Sequence, residues 1–186
     1  RLILPQSPGG PTDLIGRFTA QKLGESLGQT VVPDNRAGAA GSVGCEIAAK
    51  SAPDGYTLLL GAPGCLAANV SLYPKLGYDP VRDFEPITQL TSGPELLVVH
   101  PSVPVSSVSE LVAYAKARPD GLKVASSGPG TTNHLAGELF RVKTGIKLLN
   151  IAYKGAAATL LAAMSGEVEA TSVTSYPHSV ICSGVA

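Results

Sequence analysis

Five consecutive residues near the start of the chain are of types that can bind an anion. They are Gly9, Gly10, Pro11, Thr12 and Asp13. They follow the apolar run 2–4 and precede a helical pattern, which predicts a strand-to-helix turn. Glycine lets a ligand approach the main chain closely, and the first amides of a helix have no intrahelical acceptor. Such a turn can bind an anion without a basic side chain, and a tight structural turn is the alternative reading.

A second stretch, residues 126–134, has the same order of residue types. It follows the apolar run 122–125 and also opens a helical pattern. Both stretches have serine, then a Gly/Pro cluster, then hydroxyl residues that end in Asp13 or Asn133. One such turn is ordinary, but two of them predict a ligand held between two lobes. The candidate ligand residues in this second loop are Ser127, Gly130, Thr131, Thr132 and His134.

The composition excludes several classes of partner. Hydrophobic residues make up 44% of the chain and charged residues 15%, which is typical of a globular, weakly charged protein. Fourteen Lys and Arg balance fourteen Asp and Glu, so no net positive charge favours nucleic acid or an anionic membrane. Three widely spaced cysteines form neither a zinc pattern nor a CxxC motif, and we do not expect a disulfide framework from them.

The first half of the chain predicts an alternating β-α-β-α-β pattern. A helix is expected over 14–27, with Gly28 as its C-terminal cap, and strands over 30–33 and 56–60. Alternating strands and helices favour a parallel sheet. The loop after the third strand, residues 61–69, should lie beside the first glycine loop, because ligand loops gather at the carboxyl ends of parallel strands.

The pattern restarts in the second half. Strands are expected over 87–90 and 96–100, leading out of the first lobe, and Ser107 to Glu110 has the spacing of a capping box. The remaining elements alternate again, with predicted strands over 122–126, 146–151 and 168–173, a helix over 156–164 and a loop over 174–178. We therefore predict an α/β chain of two lobes, residues 1–99 and 100–186, with a hinge near 98–106.

Several short motifs run in order over nearly the whole chain, at residues 8–13, 35–41, 52–58, 78–84, 130–138 and 153–155. Together they resemble the periplasmic solute-binding receptors of tripartite tricarboxylate transporters, the Bug receptors. The fit weakens from Thr171 onward. Complete members of that family are longer and have a segment that returns to the first lobe. The chain is thus expected to be a C-terminally truncated member.

The resemblance implies a two-lobed fold of the type II periplasmic-binding-protein kind, each lobe a mainly parallel sheet flanked by helices. It implies a receptor without enzymatic activity or cofactor, which captures a small organic carboxylate between the lobes and delivers it to membrane permease subunits. It also implies a periplasmic location, reached through a signal peptide that this chain does not contain. In the family the two glycine loops face each other across the cleft. This points to the residues of both loops named above, with Asn69 on the rim of the first lobe.

A nucleotide-binding α/β enzyme is the main alternative. Residues 128–133 fall one glycine short of GxGxxG, and the acidic residue expected about 20 positions later is missing. A hydrolase built on Cys65 and His134 lacks a GxSxG elbow and an orienting acid. Three separated histidines predict no metal site. Lys154 is the one basic residue in a predicted cleft loop, and its contact with ligand stays open.

Overall fold

A computed structural model describes residues 1–174, which form two β-sheets with helices packed on them. We call the elements around the first sheet the first lobe and those around the second sheet the second lobe. The strands are β1 (Leu2–Leu4), β2 (Pro33–Asn35), β3 (Leu58–Leu59), β4 (Glu95–Val99), β5 (Leu122–Ser126), β6 (Leu148–Ala152) and β7 (Ala170–Thr174). The helices are α1 (Pro11–Leu27), α2 (Ser42–Ala49), α3 (Asn69–Leu72), α4 (Val108–Lys116), α5 (Thr132–Thr144) and α6 (Ala156–Met164).

The first sheet has β1 at its centre, with β2 and β3 parallel to it on either side. All three residues of β1 are buried. Leu2 and Leu4 pack with Ala20 of α1, because alternate residues of a strand face the same side of a sheet. The carboxyl end of β1 therefore leads straight into the first glycine loop, at the edge where parallel strands place ligand loops.

The second sheet has the order β4-β7-β5-β6. β5 is parallel to both of its neighbours, whereas β4 is antiparallel to β7. Its main core contains Leu111 of α4, Leu122 and Val124 of β5, and Ala170 of β7. Two mainly parallel sheets flanked by helices confirm the predicted α/β class.

Three local predictions about strands were wrong. Residues 87–90 form no strand, since the described chain is irregular from 85 to 94. β2 begins at Pro33, three residues later than expected. β3 is only two residues long and half-buried rather than buried on both faces.

The strand expected over 96–100 was placed at the exit of the first lobe, but the structure has it in the second sheet as β4. Its five residues, Glu95–Val99, pair with β7 in the second sheet. The partner lies more than 70 positions further along the chain, a separation that local periodicity does not reveal. The lobe boundary at 99 and the hinge near 98–106 stay predictions.

Cys45 and Cys65 are joined by a disulfide, contrary to the expectation from the cysteine count. Their Cα atoms are 6.5 Å apart, and both residues are fully buried with Tyr78 in a core of the first lobe. An odd number of cysteines leaves one residue over but does not prevent one pair from forming. The third, Cys182, and most of the loop predicted over 174–178 lie outside the described residues.

Between residues 1 and 174, none of the helices combines the length and apolar character that a membrane crossing needs.

Candidate functional site

The first glycine loop ends at the N-terminus of α1 as predicted. Gly10 is the N-cap residue and Pro11 occupies the first helical position. The carbonyl oxygen of Gly10 accepts hydrogen bonds from the amides of Asp13 (3.0 Å) and Leu14 (3.1 Å). The amide of Thr12 donates no hydrogen bond to any other residue of the described chain. The helix start therefore offers the Thr12 amide and the positive end of the helix dipole to an anion.

Asp13 is buried and already engaged within the protein. Its carboxylate accepts hydrogen bonds from the Gly9 amide (3.0 Å), the Arg17 Nε (3.0 Å) and the Asn35 Nδ2 (2.9 Å). The loop pattern alone suggested that the Gly9 amide is free for a ligand, but this amide is occupied by Asp13. Gly9 has φ +81°, which suits glycine and lets the chain turn back toward this carboxylate.

The pKa of Asp13 lies below its ordinary value. Burial by itself would raise the pKa, but the hydrogen bonds from Arg17, Gly9 and Asn35 outweigh it because they favour the charged form. Asp13 is therefore a stable carboxylate at the start of α1, where its negative charge also complements the helix dipole.

The second glycine loop is organised around Asn133. Its Oδ1 accepts from the amides of Ser127 (3.2 Å) and His134 (3.0 Å) and lies 2.7 Å from the Thr131 Oγ1. Its Nδ2 donates to the Ser127 hydroxyl at 3.2 Å. The Thr131 hydroxyl also lies 2.6 Å from the carbonyl oxygen of Gly128. These side chains hold the loop together, so their polar groups are largely used inside it.

Two amides at the start of α5 remain unused. Those of Thr132 and Asn133 donate no hydrogen bond within residues 1–174. The Gly130 amide points toward the His134 Nδ1 at 3.5 Å, a distance too long for a strong hydrogen bond. The second loop therefore presents fewer free donors than its sequence suggests, and these lie in the first helical turn.

Asn69 is fully buried and does not lie on the rim of the first lobe, where it was expected. Its Nδ2 donates to the carbonyl oxygen of Ala39 (3.1 Å) and to the Ser42 hydroxyl (2.7 Å). Its Oδ1 is buried without a hydrogen-bond partner. This oxygen faces Gly130 of the second lobe, since a Cβ built on Gly130 would lie 2.5 Å from it. Asn69 therefore forms part of the contact between the lobes.

The start of α6 lies beside the first loop and was not among the predicted site residues, although the loop before it, which contains Lys154, was expected in the cleft. A Cβ built on Gly10 would lie 3.8 Å from the Cβ of Ala156, the first residue of α6. One built on Gly155 would lie 3.1 Å from the Cβ of Ser7. The N-termini of α1 and α6, one from each lobe, thus lie against each other. The available signal was Gly155, which lies between a predicted strand and a predicted helix. The loop that contains it lacks the hydroxyl residues of the other two loops.

The structure accordingly places the two predicted loops against different partners. Gly10 of the first loop lies opposite the start of α6, whereas Gly130 of the second loop lies opposite Asn69 and Gly64. No hydrogen bond found in residues 1–174 joins the first loop to the second. Lys154 is exposed in the loop that brings α6 to Ser7. The roles of all these residues in ligand binding stay predictions.

Two other chemistries find no support in this arrangement. Cys65 is bonded to Cys45, so it carries no thiol for the Cys-His pair considered above. Among the described residues, no group of three His, Cys, Asp or Glu side chains is placed to hold a metal ion.

Comparisons with known proteins find one matching receptor family and several relatives. The family model described as "Tripartite tricarboxylate transporter family receptor" matches residues 15–183. The protein BugT of Bordetella pertussis is 40% identical over 171 residues, which cover 91% of this chain and 52% of that relative. The chain spans about half the length of the curated relatives it matches.

Solved structures with the same fold include two with a named carboxylate. Rpa4515 of R. palustris with adipate has a TM-score of 0.89 at 40% identity, covering 93% of this chain and 58% of that one. MatC (Rpa3494) from Rhodopseudomonas palustris with bound malate has a TM-score of 0.86 at 32% identity, covering 93% and 59%. The periplasmic binding protein BugD has a TM-score of 0.86 at 34% identity, covering 93% and 57%. These likenesses confirm the two-lobed periplasmic-binding-protein fold.

Proposed function

Because this chain belongs to the tripartite tricarboxylate transporter receptor family, we propose that it is part of a receptor that binds a small organic carboxylate between its two lobes. The candidate ligand residues are those of the first loop, Gly9 to Asp13, together with Asn69 and the residues of the second loop named above. The start of α6 joins them on the evidence of its position.

One observation carries this proposal: the N-terminus of α1 in the first lobe lies against the N-terminus of α6 in the second. Each helix start has partial positive charge and amides without an intrahelical acceptor. In residues 1–174 the amides of Thr12, Ala156 and Ala157 donate no hydrogen bond. A carboxylate has several acceptor sites on its two oxygens, so it can satisfy donors from both lobes at once.

The energetics explain why both lobes are needed. A hydrogen bond to a charged group contributes about 1.5–3 kcal/mol. Four such bonds approach the roughly 8 kcal/mol of a micromolar complex before association costs are subtracted. One helix start alone would bind weakly, whereas two that close on the same ligand and exclude water reach a useful affinity.

The receptor delivers its ligand to the membrane permease subunits of a tripartite tricarboxylate-type transporter, and it does so in the periplasm. Support for both statements comes from the family match and from the likeness to the periplasmic binding protein BugD. The proposed function involves no catalysis. The alternative of a nucleotide-binding enzyme is not favoured, because the relatives are solute receptors.

Isothermal titration calorimetry of the protein against mono-, di- and tricarboxylates, amino acids and aromatic acids tests the proposal. Adipate and malate belong in the panel because related proteins hold them in solved structures. We expect at least one organic carboxylate to bind with micromolar or tighter affinity, and nucleotides not to bind. Binding of a nucleotide with no response to any carboxylate would refute the receptor function.

A further inference from the structure

Two polar residues behind the first loop, Arg17 and Asn35, form a connected network with Asp13. The Arg17 Nη2 donates to the Asn35 Oδ1 at 3.2 Å, while its Nε lies 3.0 Å from the Asp13 carboxylate. The Asn35 Nδ2 donates both to the Asp13 Oδ1 (2.9 Å) and to the carbonyl oxygen of Gln6 (3.1 Å). The network therefore ties the loop, the first turn of α1 and the end of β2 together.

The network offsets an electrostatic repulsion between Asp13 and the carboxylate of a bound ligand. Asp13 is a buried carboxylate in the first turn of α1, the same turn that is proposed to attract the carboxylate of a ligand. Two negative charges at one helix end repel each other, and an uncompensated buried charge is costly. Arg17, one helical turn after Asp13, places a positive charge directly on this carboxylate.

We propose that Arg17 and Asn35 are positioning residues of the ligand site: they offset the charge of Asp13 and fix it against the Gly9 amide, so that the start of α1 can accept an anion. The inference rests on the proposed function and names residues that the two glycine-loop motifs do not contain. Arg17 supplies the charge compensation. Asn35 supplies the geometry, since its side chain bridges Asp13 and the Gln6 carbonyl.

A double-variant cycle separates charge compensation from simple structural support. In Arg17→Met the Asp13 carboxylate keeps its bonds to Gly9 and Asn35 but loses its counter-charge. We expect the affinity for adipate and for malate, measured by calorimetry, to fall about tenfold. Arg17→Met combined with Asp13→Asn removes the repelling charge and should regain most of that loss. Arg141→Met is the matched control, because it removes an arginine from an exposed helical pair with Glu138.

Equal affinity of Arg17→Met and the wild-type protein would overturn the proposal. So would a double variant that binds no better than Arg17→Met, because a merely structural network predicts added damage.

A second measurement needs no ligand. Hydrogen exchange of the Gly9 amide, followed by NMR, should accelerate about tenfold in Asn35→Ala, because Asp13 loses one of the bonds that hold it against Gly9. The control Arg141→Met should leave this rate unchanged. If the wild-type protein binds no carboxylate but Gly9 exchange responds in this way, the proposed function fails, whereas the positioning of Asp13 against the Gly9 amide stands. Unchanged Gly9 exchange in Asn35→Ala would overturn the positioning role whatever the protein binds.

Discussion

At the scale of single residues, Glu169 shows how a half-buried charge is stabilised beside β7. Its carboxylate accepts from the Lys123 amide (2.9 Å) and the Tyr114 hydroxyl (3.2 Å) and forms an ion pair with Arg118. Burial by itself would raise the pKa of Glu169, but the bonds from Lys123, Arg118 and Tyr114 outweigh it. The pKa therefore lies below the ordinary value of 4.5.

Glu169→Gln should make stability less dependent on pH. A depressed pKa contributes stability above the pKa of the unfolded chain, near 4.5, and this contribution is lost as pH falls through the lower folded value. We expect the variant to be about 1–2 kcal/mol less stable than wild type at pH 7. The difference should shrink steadily below pH 4.5 in urea unfolding curves. Glu138→Gln, in an exposed helical pair, is the control, and a gap that stays constant with pH would contradict this account.

Asn133 is the second residue whose role is testable by itself. Asn133→Ala removes the acceptor shared by Ser127, Thr131 and His134, and should cost about 1–3 kcal/mol in thermal unfolding. Asn133→Asp keeps an acceptor at the same place and should recover most of this stability. Equal melting temperatures for Asn133→Ala and wild type would show that the second loop does not depend on this side chain.

At the scale of elements, α5 differs from the other long helices because none of its thirteen residues is fully buried. Gly137 lies in its interior, and a Cβ built there has no contact nearer than 4.0 Å, to Leu148. In such a position glycine only adds flexibility to the unfolded chain. Gly16 of α1 is the opposite case, since a Cβ there would collide with the side chain of Leu4.

Gly137→Ala should therefore stabilise the protein by about 0.5–1 kcal/mol, whereas Gly16→Ala should destabilise it by about 1–3 kcal/mol. Both substitutions add the same methyl group to the interior of a helix, so each controls for the other. Differential scanning calorimetry measures the two shifts. A stabilising shift in Gly16→Ala would mean that the packing of Leu4 leaves room for a side chain at this position, and a destabilising shift in Gly137→Ala would contradict the account of α5.

The sequence predicted elements best where local chemistry decides them. The strand-to-helix turn before α1 was predicted from its glycines, although the helix begins at Pro11 and not at residue 14. The end of α1 was predicted from Gly28, which adopts the expected left-handed conformation with φ 64°. Contacts made between distant elements were not visible. The pairing of β4 with β7 and the disulfide of the first lobe both depend on long-range proximity.

The candidate site was predictable to the same extent. The glycine and hydroxyl residues identified both loops, because these residue types favour the backbone geometry of a turn that opens a helix. Asn69 was expected at the rim of the first lobe but is buried. The residue type alone does not reveal that Ala39 and Ser42 surround its side-chain amide. Asn133 was read as the end of a motif, although its bonds within the loop make it the organising residue.

At the scale of the whole molecule, the two lobes meet through glycines. Gly64 of the first lobe lies close to Gly130 of the second, so that a Cβ on Gly64 would be 2.8 Å from the Gly130 carbonyl oxygen. The same Cβ would be 3.0 Å from the carbonyl oxygen of Ala40. Such distances are too short for a real side chain, so the close approach of the lobes depends on glycine at this position.

Gly64→Ala should accordingly hinder closure of the lobes while leaving each sheet folded. The added methyl group forces the Gly130 carbonyl away, and the strain of overpacking, about 1–3 kcal/mol, weakens carboxylate binding by roughly ten- to hundredfold. Small-angle X-ray scattering should show that ligand makes the wild-type protein more compact and Gly64→Ala less so. Gly137→Ala adds the same methyl group on α5, away from this contact, and should close normally. If Gly64→Ala closes and binds as tightly as wild type, the lobes can meet without this glycine contact, and binding depends on the helix starts alone.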